Sequence, residues 1–264
     1  MKNFLTILLG LACAAVLIFG HSYWNNRIEA APQKTSSTLD NQAKTTTQTA
    51  ENDTPNEEIM AYTSNWPTKA VDRFKQALKE KRHFKVLFVG SPAIGSEEAG
   101  MYPTVKEKLI ETFGDKNIQV DLKTYNSTTT QFVTQNKQKE IAADKADLII
   151  LEPFILENNG VVLIDKTLND ITKIIDEVQV KNPNAAFILQ PSYPLYQAKI
   201  YPNQVAELKK WAEQNKIAYL DHWTAWPDAN TEAIKDYLNS DQSAPNENGS
   251  KVWSDYILQY FISK

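Results

Sequence analysis

The chain is poor in the residue types that usually form disulfides, metal sites and charge relays. Its 264 residues include one cysteine and three histidines. A single cysteine cannot form a disulfide within the chain. No group of histidines and cysteines has the spacing of a zinc site, and the acidic residues lack the spacing of a calcium loop. We therefore expect no metal ion and no other cofactor.

An excess of positive charge is also lacking. The chain has 28 lysine and arginine residues against 32 aspartate and glutamate residues, which gives a formal net charge of -4 at pH 7. Proteins that bind the phosphate backbone of nucleic acids usually carry a basic surface. The composition therefore argues against a nucleic-acid partner and leaves small molecules, glycans or proteins.

The first predicted segment, residues 1–25, is strongly apolar. The stretch from Phe4 to Gly20 carries no charged residue and follows a single lysine. About 17–25 apolar residues are needed to span a bilayer. Tyr23 and Trp24 come next, where aromatic residues often mark the membrane interface. The pattern favours an uncleaved, single-pass transmembrane anchor.

Two other interpretations fit this segment less well. A signal peptide needs small residues at a cleavage site, and the stretch IEAAP at Ile28 to Pro32 is a mediocre one. A lipoprotein needs its cysteine at the end of the apolar run, whereas Cys13 lies in the middle of it. An anchor places the rest of the chain outside the cytoplasm at the cell membrane, and a cleaved signal makes it a secreted protein. Export without disulfides suits a Gram-positive-like surface.

Residues 26–62 form the second predicted segment. They are rich in Thr, Gln, Asn and charged residues and offer almost no apolar side chain for burial. Such a composition cannot offset the entropy lost on ordering, so we expect a disordered tether. A flexible coil of about 35 residues has an r.m.s. reach on the order of 35 Å, which suits a domain that works within a cell wall.

Residues 63–264 form the predicted folded domain, in which apolar runs alternate with helical patterns. We expect strands at FKVLFVG, IQVDLKTY, ADLIILE, AAFILQP and KIAYLDHW. Helical spacing is present at 102–114, 127–143, 168–181, 201–214 and in the final stretch SKVWSDYILQYFI. This alternation predicts an α/β fold with about five parallel strands and helices on both faces. Sites in such folds lie at the carboxyl ends of the strands.

Two residues at this edge of the sheet are candidates for a nucleophile and a base. Ser91 directly follows the first predicted strand, in GSPAIGS, where its hydroxyl could project over the sheet. It could equally be the cap of a helix that Pro92 begins. Of the three histidines, only His222 lies at the carboxyl end of a predicted strand, in DHWTAW. It is either a general base or a half-buried structural residue bonded to the backbone.

Further polar and aromatic residues occupy the neighbouring loops. Asn126 and Asn159 could donate to an oxyanion, although Asn-Asn-Gly is also simply a good turn. Asp241 precedes the last helix and could orient a base from there. Aromatic rings suit the faces of sugars, but core packing accounts for them equally well. The expected substrate-lining residues are Glu152, Tyr193, Tyr196 and Trp223.

Taken together, these stretches resemble the SGNH, or GDSL-type, hydrolase superfamily, and in particular the exported SGNH-like proteins of bacilli. The matching pieces are VLFVGSPAIGS at the nucleophile block, LIILEPFILENNG near the block of the oxyanion asparagine, and DQSAPNENGSKVW at the block that usually reads Asp-x-x-His-Pro-Asn. The resemblance covers about Phe84 to Lys264. It implies a flavodoxin-like three-layer α/β/α sandwich that hydrolyses ester or acetyl groups, often on glycans or lipids, with a Ser-His-Asp set.

The chain departs from the family pattern at both catalytic positions. In the Gly-Asp-Ser pattern the nucleophile is the third residue, which here is Pro92, and Ser91 stands where the aspartate is usual. In the last block Asp241 matches, but the histidine position is Ala244. Either the site has been rebuilt around Ser91 and His222, or the fold has lost hydrolysis and binds a ligand.

We expect the first alternative. It is an ester hydrolase outside the cytoplasm, acting on acylated cell-wall or surface glycans or lipids, with Ser91, His222 and Asp241 as catalytic residues and Asn126 or Asn159 at the oxyanion. The second alternative is an inactive binding module at the cell surface. A hydrolase needs Ser91 and His222 within hydrogen-bond reach of each other, which the structure can decide.

Overall fold

The structure is a computed structural model and describes residues 54–263. The described residues belong to one compact unit. The apolar segment 1–25 and most of the predicted tether lie outside the described residues. Between Thr54 and Ser263, no helix has both the length and the apolar character needed to cross a bilayer.

Five parallel strands form a single sheet. Their bounds are β1 Phe84–Gly90, β2 Ile118–Thr124, β3 Leu148–Leu151, β4 Ala186–Leu189 and β5 Ala218–Tyr219. The strands lie in the order β2-β1-β3-β4-β5, and every neighbouring pair is parallel. All five predicted strands are confirmed, and so is the predicted α/β fold with a parallel sheet.

Helices connect the strands and follow the last of them. Their bounds are α1 Thr54–Met60, α2 Thr68–Lys79, α3 Tyr102–Phe113, α4 Thr129–Thr134, α5 Gln138–Asp144, α6 Ile155–Asn158, α7 Ile164–Lys181, α8 Tyr201–Gln214 and α9 Glu247–Phe261. Short 3-10 helices occur at Pro92–Ile94, His222–Ala225 and Glu232–Tyr237.

The helix predicted over 127–143 is two helices, α4 and α5. Asn136, between them, has a φ of 60° in the left-handed region. The N–H of Lys137 donates to the carbonyl of Phe132 at 3.0 Å, and the N–H of Asn136 donates to the carbonyl of Val133 at 3.0 Å. These two bonds close a Schellman motif, which ends α4 although the apolar spacing continues.

Apolar side chains form one cluster on each face of the sheet. Along β1, Val86 and Phe88 belong to one cluster, whereas Leu87 and Val89 belong to the other. The first cluster includes side chains from α2, α3 and α9, and the second includes side chains from α4, α5, α7 and α8. Helices therefore cover both faces, and the predicted three-layer α/β/α sandwich is confirmed.

The folded part begins before residue 63, the predicted boundary. Helix α1 covers residues 54–60 of the segment that was predicted to be a disordered tether. The indole of Trp66 packs among Phe74, Phe84, Phe113 and Phe261, and its Nε1–H donates to the carbonyl of Phe261 at 2.9 Å. Partly buried apolar side chains of Ile59, Met60 and Tyr62 pack against the same cluster. This aromatic contact ties the start of the described chain to its end.

Candidate functional site

Ser91 is fully buried, and its hydroxyl caps a 3-10 helix. Its relative exposure is 0%. The Oγ atom accepts a hydrogen bond of 3.4 Å from the backbone N–H of Ala93, at the start of the helix Pro92–Ile94. Its own backbone N–H donates to Oε2 of Glu152 at 2.7 Å. The structure thus shows Ser91 in the capping arrangement, with its hydroxyl away from solvent.

Glu152 is a buried anchor for this turn and not a residue that lines an open site. Its exposure is 0%, and its Oε1 atom has no hydrogen-bond partner among the described residues. Burial raises the pKa of Glu152 to about 6, although hydrogen bonds from Ser91 oppose the rise. A Cβ atom on Gly90 would lie 2.8 Å from the Cβ of Glu152. Gly90 is therefore required for the close approach of this carboxylate to the end of β1.

His222 is buried too, and both of its ring nitrogens are bonded inside the core. Nδ1 accepts from the indole N–H of Trp226 at 3.0 Å. An indole N–H can only donate, so Nδ1 carries no proton and Nε2 must carry it. Nε2–H then donates to the carbonyl of Pro191 at 3.0 Å. The ring stacks on Trp253 with a centroid distance of 4.5 Å.

The structure does not support the base role that we predicted for His222. A general base needs a free nitrogen within reach of the nucleophile, and this ring has none. Burial lowers the pKa of His222 to about 4. The ring is therefore neutral at physiological pH because it is buried. The structural alternative is the one that fits: His222 joins the loop after β4 to helix α9.

Asp241 is not paired with His222. Its side chain is exposed, and Oδ1 accepts from the N–H and the hydroxyl of Ser243 at 3.0 and 2.6 Å. These hydrogen bonds hold the pKa of Asp241 below its usual range. The carboxylate stabilises the turn before α9 and orients no imidazole. The predicted set of Ser91, His222 and Asp241 is therefore not brought together.

The two predicted oxyanion donors differ in their exposure to solvent. Asn126 is exposed after β2, and Asn159 is half-buried at the end of α6. Their neighbour Asn158, in the same stretch EPFILENNG, is buried and donates to the hydroxyls of Thr129 and Thr167 at 2.9 and 2.8 Å. Asn158 links α4, α6 and α7, and its role is structural.

The predicted aromatic lining residues hold loops in place. Tyr193 is 3% exposed, and its hydroxyl donates to the carbonyl of Ser243. The hydroxyl of Tyr196 bonds to the carboxylate of Glu232. Trp223 is half-buried and donates from Nε1 to the carbonyl of Ser192 at 2.7 Å. Core packing accounts for Tyr193, whereas Tyr196 and Trp223 are only partly buried, and their place beside a ligand stays a prediction.

An open cleft does occur at this edge, around the positions where the chain departs from the family pattern. Pro92 and Ala244 both line it, and its volume is about 380 Å³. Serine and threonine hydroxyls of Ser96, Thr124 and Ser250 contribute polar groups. No residue that lines this cleft has a titratable side chain. The cleft is therefore in the place that the resemblance implies, but it lacks an acid, a base and a charged group.

A second, larger cleft of about 650 Å³ adjoins the first. The two share four lining residues, which are Ala99, Gly100, Pro245 and Ser250. Charged side chains line the larger cleft and include Glu98, Glu247, Lys251 and Asp255. Together the two clefts form a groove beside the start of α3 and α9, and one end of that groove is uncharged.

We predict that His222 makes folding stability depend on pH. Its folded-state pKa, about 4, lies below the ordinary value of 6.5. Its contribution is complete above pH 6.5 and is lost as the pH falls towards 4, by roughly 3 kcal/mol in total. His222→Gln, which cannot be protonated, should lack this loss. Denaturant unfolding at pH 7, 5.5 and 4.5 measures it.

The exposed His83 offers a matched control, because His83→Gln should keep the pH dependence of the unchanged protein. Glu152, a buried group with a raised pKa, is present in all three proteins, so its effect cancels in the comparison. If the free energy of unfolding depends on pH equally in the unchanged protein and in His222→Gln, the ring is not buried with both of its nitrogens hydrogen-bonded.

Glu152 should act in the opposite direction. Its folded-state pKa, about 6, lies above 4.5, so its contribution is complete below pH 4.5 and is lost as the pH rises through 6. Glu152→Gln keeps an oxygen for the N–H of Ser91 and never ionises. The free energy of unfolding of this variant, relative to the unchanged protein, should rise by about 2 kcal/mol between pH 4 and pH 8. The exposed Glu213→Gln should show no such rise, and a flat difference for both variants would argue against burial of Glu152.

Comparison with known proteins gives no match at the level of sequence. No model of a known protein family matches the chain, and no curated protein does. The fold, in contrast, has many counterparts among solved structures.

A GDSL-like lipase from Parabacteroides merdae superposes with a TM-score of 0.57 and 14% sequence identity, over 69% of this chain and 96% of the lipase. An acetylxylan esterase from Geobacillus stearothermophilus superposes with a TM-score of 0.54 and 15% identity, over 68% of this chain and 94% of the esterase. Both counterparts are thus covered almost completely by the described part of the chain.

Three of the similar structures are catalytic mutants of that esterase, in which a serine, an aspartate or a histidine is replaced by alanine. Sequence identity of 14–15% supports likeness of fold and nothing finer. The chain has the fold of the SGNH, or GDSL-type, hydrolases.

Proposed function

We propose that this chain is a ligand-binding domain that uses the SGNH hydrolase fold without serine–histidine catalysis. The observation that carries the proposal is the uncharged cleft. Pro92 and Ala244 line it, and none of its lining residues has a titratable side chain. A proline ring cannot attack a carbonyl, and a methyl group cannot accept a proton.

The alternative residues do not restore the missing chemistry. Ser91 is buried and used as a cap, and the nitrogens of His222 are bonded to Trp226 and Pro191. Removal of triad members from serine hydrolases costs several orders of magnitude in rate. A site that lacks both the nucleophile and the base at the cleft is therefore better suited to binding than to turnover.

We propose a glycan that carries acyl groups as the ligand, outside the cytoplasm. The uncharged cleft offers hydroxyls at Ser96, Thr124 and Ser250 beside apolar groups at Pro92 and Met101. Hydroxyls can bond to sugar hydroxyls, while apolar groups suit acyl groups and the carbon faces of sugar rings. The name of one similar structure, an acetylxylan esterase, points to the same class of compound. The apolar segment 1–25 favours a place at the cell membrane, with this domain on the outer side.

Ester hydrolysis is the second candidate function, because the similar structures include a lipase and an esterase. A serine with a nearby carboxylate faces the groove: the hydroxyl of Ser96 donates to Oε2 of Glu98 at 3.2 Å. The same hydroxyl accepts from the N–H groups of Glu98 and Ala99, which is an ordinary serine turn. The experiment that follows separates the two functions.

We predict that the full chain forms no adduct with a fluorophosphonate probe, since no activated serine faces the cleft. Pro92→Ser/Ala244→His returns both family residues to a cleft that is otherwise intact, and this variant should react with the probe at residue 92. It should also hydrolyse p-nitrophenyl acetate at least tenfold faster than the unchanged chain. Intact mass, peptide mapping and absorbance at pH 7.5 measure these outcomes.

The matched control is Pro92→Ala/Ala244→Gln, which changes the same two positions but supplies neither a nucleophile nor a base. It should behave like the unchanged chain. An adduct on Ser91 or Ser96 of the unchanged protein would overturn the binding proposal and establish the second candidate.

We further predict that acetylated xylo-oligosaccharides bind to the unchanged chain and are recovered with their acetyl groups intact. Ala244→Trp places a large ring into the cleft of about 380 Å³ and should weaken binding at least tenfold. Ala206→Trp, at an exposed position of α8 outside both clefts, should have no effect. Calorimetry measures affinity and mass spectrometry of the recovered sugar measures acetyl loss. Equal affinities for the two variants would exclude this cleft as the glycan site.

A further inference from the structure

A separate cleft lies at the opposite edge of the sheet, where the strands begin. Its volume is about 440 Å³. Six cationic side chains line it: Arg73, Lys81, Arg82, Lys85, Lys116 and Lys145. The other lining residues are His83 and Asp147, so the lining carries a net charge of +5 when His83 is neutral. This concentration of positive charge occurs in a chain whose formal net charge is -4.

The parallel sheet explains how these residues meet. Strands β2, β1 and β3 are neighbours, so their starts lie side by side. Lys116 precedes β2, Arg82 precedes β1, and Lys145 precedes β3 by a few residues each. Lys81, Arg82 and Lys85 come from one stretch at the start of β1, and the topology of the sheet adds Lys116 and Lys145 from before β2 and β3.

A buried carboxylate fixes the two arginines in this cleft. Asp147 is 1% exposed, and its Oδ2 atom accepts from Nη1 of Arg82 at 2.7 Å and from the backbone N–H of Lys85 at 3.0 Å. Its Oδ1 atom bonds to Nη2 of Arg73 and accepts from Nη2 of Arg82 at 3.2 Å. One carboxylate thus accepts hydrogen bonds from both guanidinium groups. The exposed carboxylate of Glu80 also pairs with Nε of Arg82, at 2.8 Å.

The lysines of the cleft have no such partners. Within residues 57–263, no carboxylate oxygen lies within 4.0 Å of the ammonium groups of Lys81, Lys85, Lys116 or Lys145. Like charges that share a cleft repel one another, and a bound anion relieves the repulsion. Helix carboxyl ends also lie at this edge and favour single cations, but that effect acts within one helical turn and does not require six cations around one cleft.

We propose that this cleft binds an anion that carries more than one phosphate group. Guanidinium groups bind phosphate oxygens in pairs, and ammonium groups bind them as point charges. The cleft supplies both kinds of donor, and the arginines are already oriented by Asp147. The phosphate groups could belong to a soluble phosphate polymer or to the headgroups of anionic lipids. The site is separate from the groove of the proposed function and is independent of it.

Calorimetric titration of the full chain with sodium tripolyphosphate, in a neutral detergent at 50 mM NaCl, tests the proposal. Binding is expected, and its association constant should fall at least fivefold at 200 mM NaCl. Lys85→Gln/Lys116→Gln/Lys145→Gln should weaken binding at least tenfold. Lys139→Gln/Lys199→Gln/Lys216→Gln removes the same charge from exposed positions outside the cleft and should change the affinity less than twofold.

The two triple variants should melt at similar temperatures, because none of the six lysines has a salt bridge among the described residues. Absence of tripolyphosphate binding at millimolar concentration, or equal weakening in the two triple variants, would overturn the proposal.

The source of the phosphate groups is decided by repeating the titration in micelles that contain one-fifth phosphatidylglycerol. Loss of tripolyphosphate affinity in these micelles, with no such loss for the cleft triple variant, identifies lipid headgroups as the ligand. Unchanged affinity identifies a soluble phosphate compound. Both results support an anion site at this edge of the sheet.

Discussion

The imidazole of His222 ties together segments that follow different strands, and the carboxyl edge of the sheet is built around it. Its Nε2–H holds the carbonyl of Pro191 after β4, its Nδ1 holds the indole of Trp226, and its face lies on Trp253 of α9. Protonation would set a second donor against the indole N–H, so the ring must stay neutral. The bonds that stabilise this edge are the same bonds that withdraw the ring from proton transfer.

A second buried contact at the same edge joins Ser91 to Glu152. The carboxylate of Glu152 takes the N–H of Ser91 at the end of β1, and Gly90 leaves room for it. A buried carboxylate destabilises the folded state unless it accepts hydrogen bonds. The bond from the N–H of Ser91 to Glu152 forms only while the turn after β1 keeps this conformation. A turn held in this way cannot readily present the hydroxyl of Ser91 to a substrate. Residues of both anchors also line the groove beside this edge, because Trp253 stacks on His222 and the N–H of Ala93 donates to the hydroxyl of Ser91.

The fold could be predicted from the sequence more fully than the site. Buried parallel strands appear as short apolar runs, and helix α8 is marked at its start by Pro202 in the first turn. The break between α4 and α5 depends on the backbone of Asn136, which the apolar spacing does not reveal. For Ser91 and His222, both alternatives could be stated from the sequence. The choice between them depends on partners that lie 61 and 31 residues away along the chain, which no local pattern identifies.

Net charge says little about the charge of any one cleft, for a related reason. A formal charge of -4 is a sum over the chain, whereas a ligand meets only the side chains that the fold brings to one place. A parallel sheet sorts residues by whether they precede or follow a strand. Here arginine and lysine residues near the starts of the strands line one cleft, whereas the residues that line the smaller cleft at the other edge, Pro92 among them, are uncharged. The clefts at the two edges therefore differ in charge, and part of the basic cleft comes from the stretch KEKRHFK at residues 79–85. The two proposed ligands would thus bind at opposite edges of the sheet.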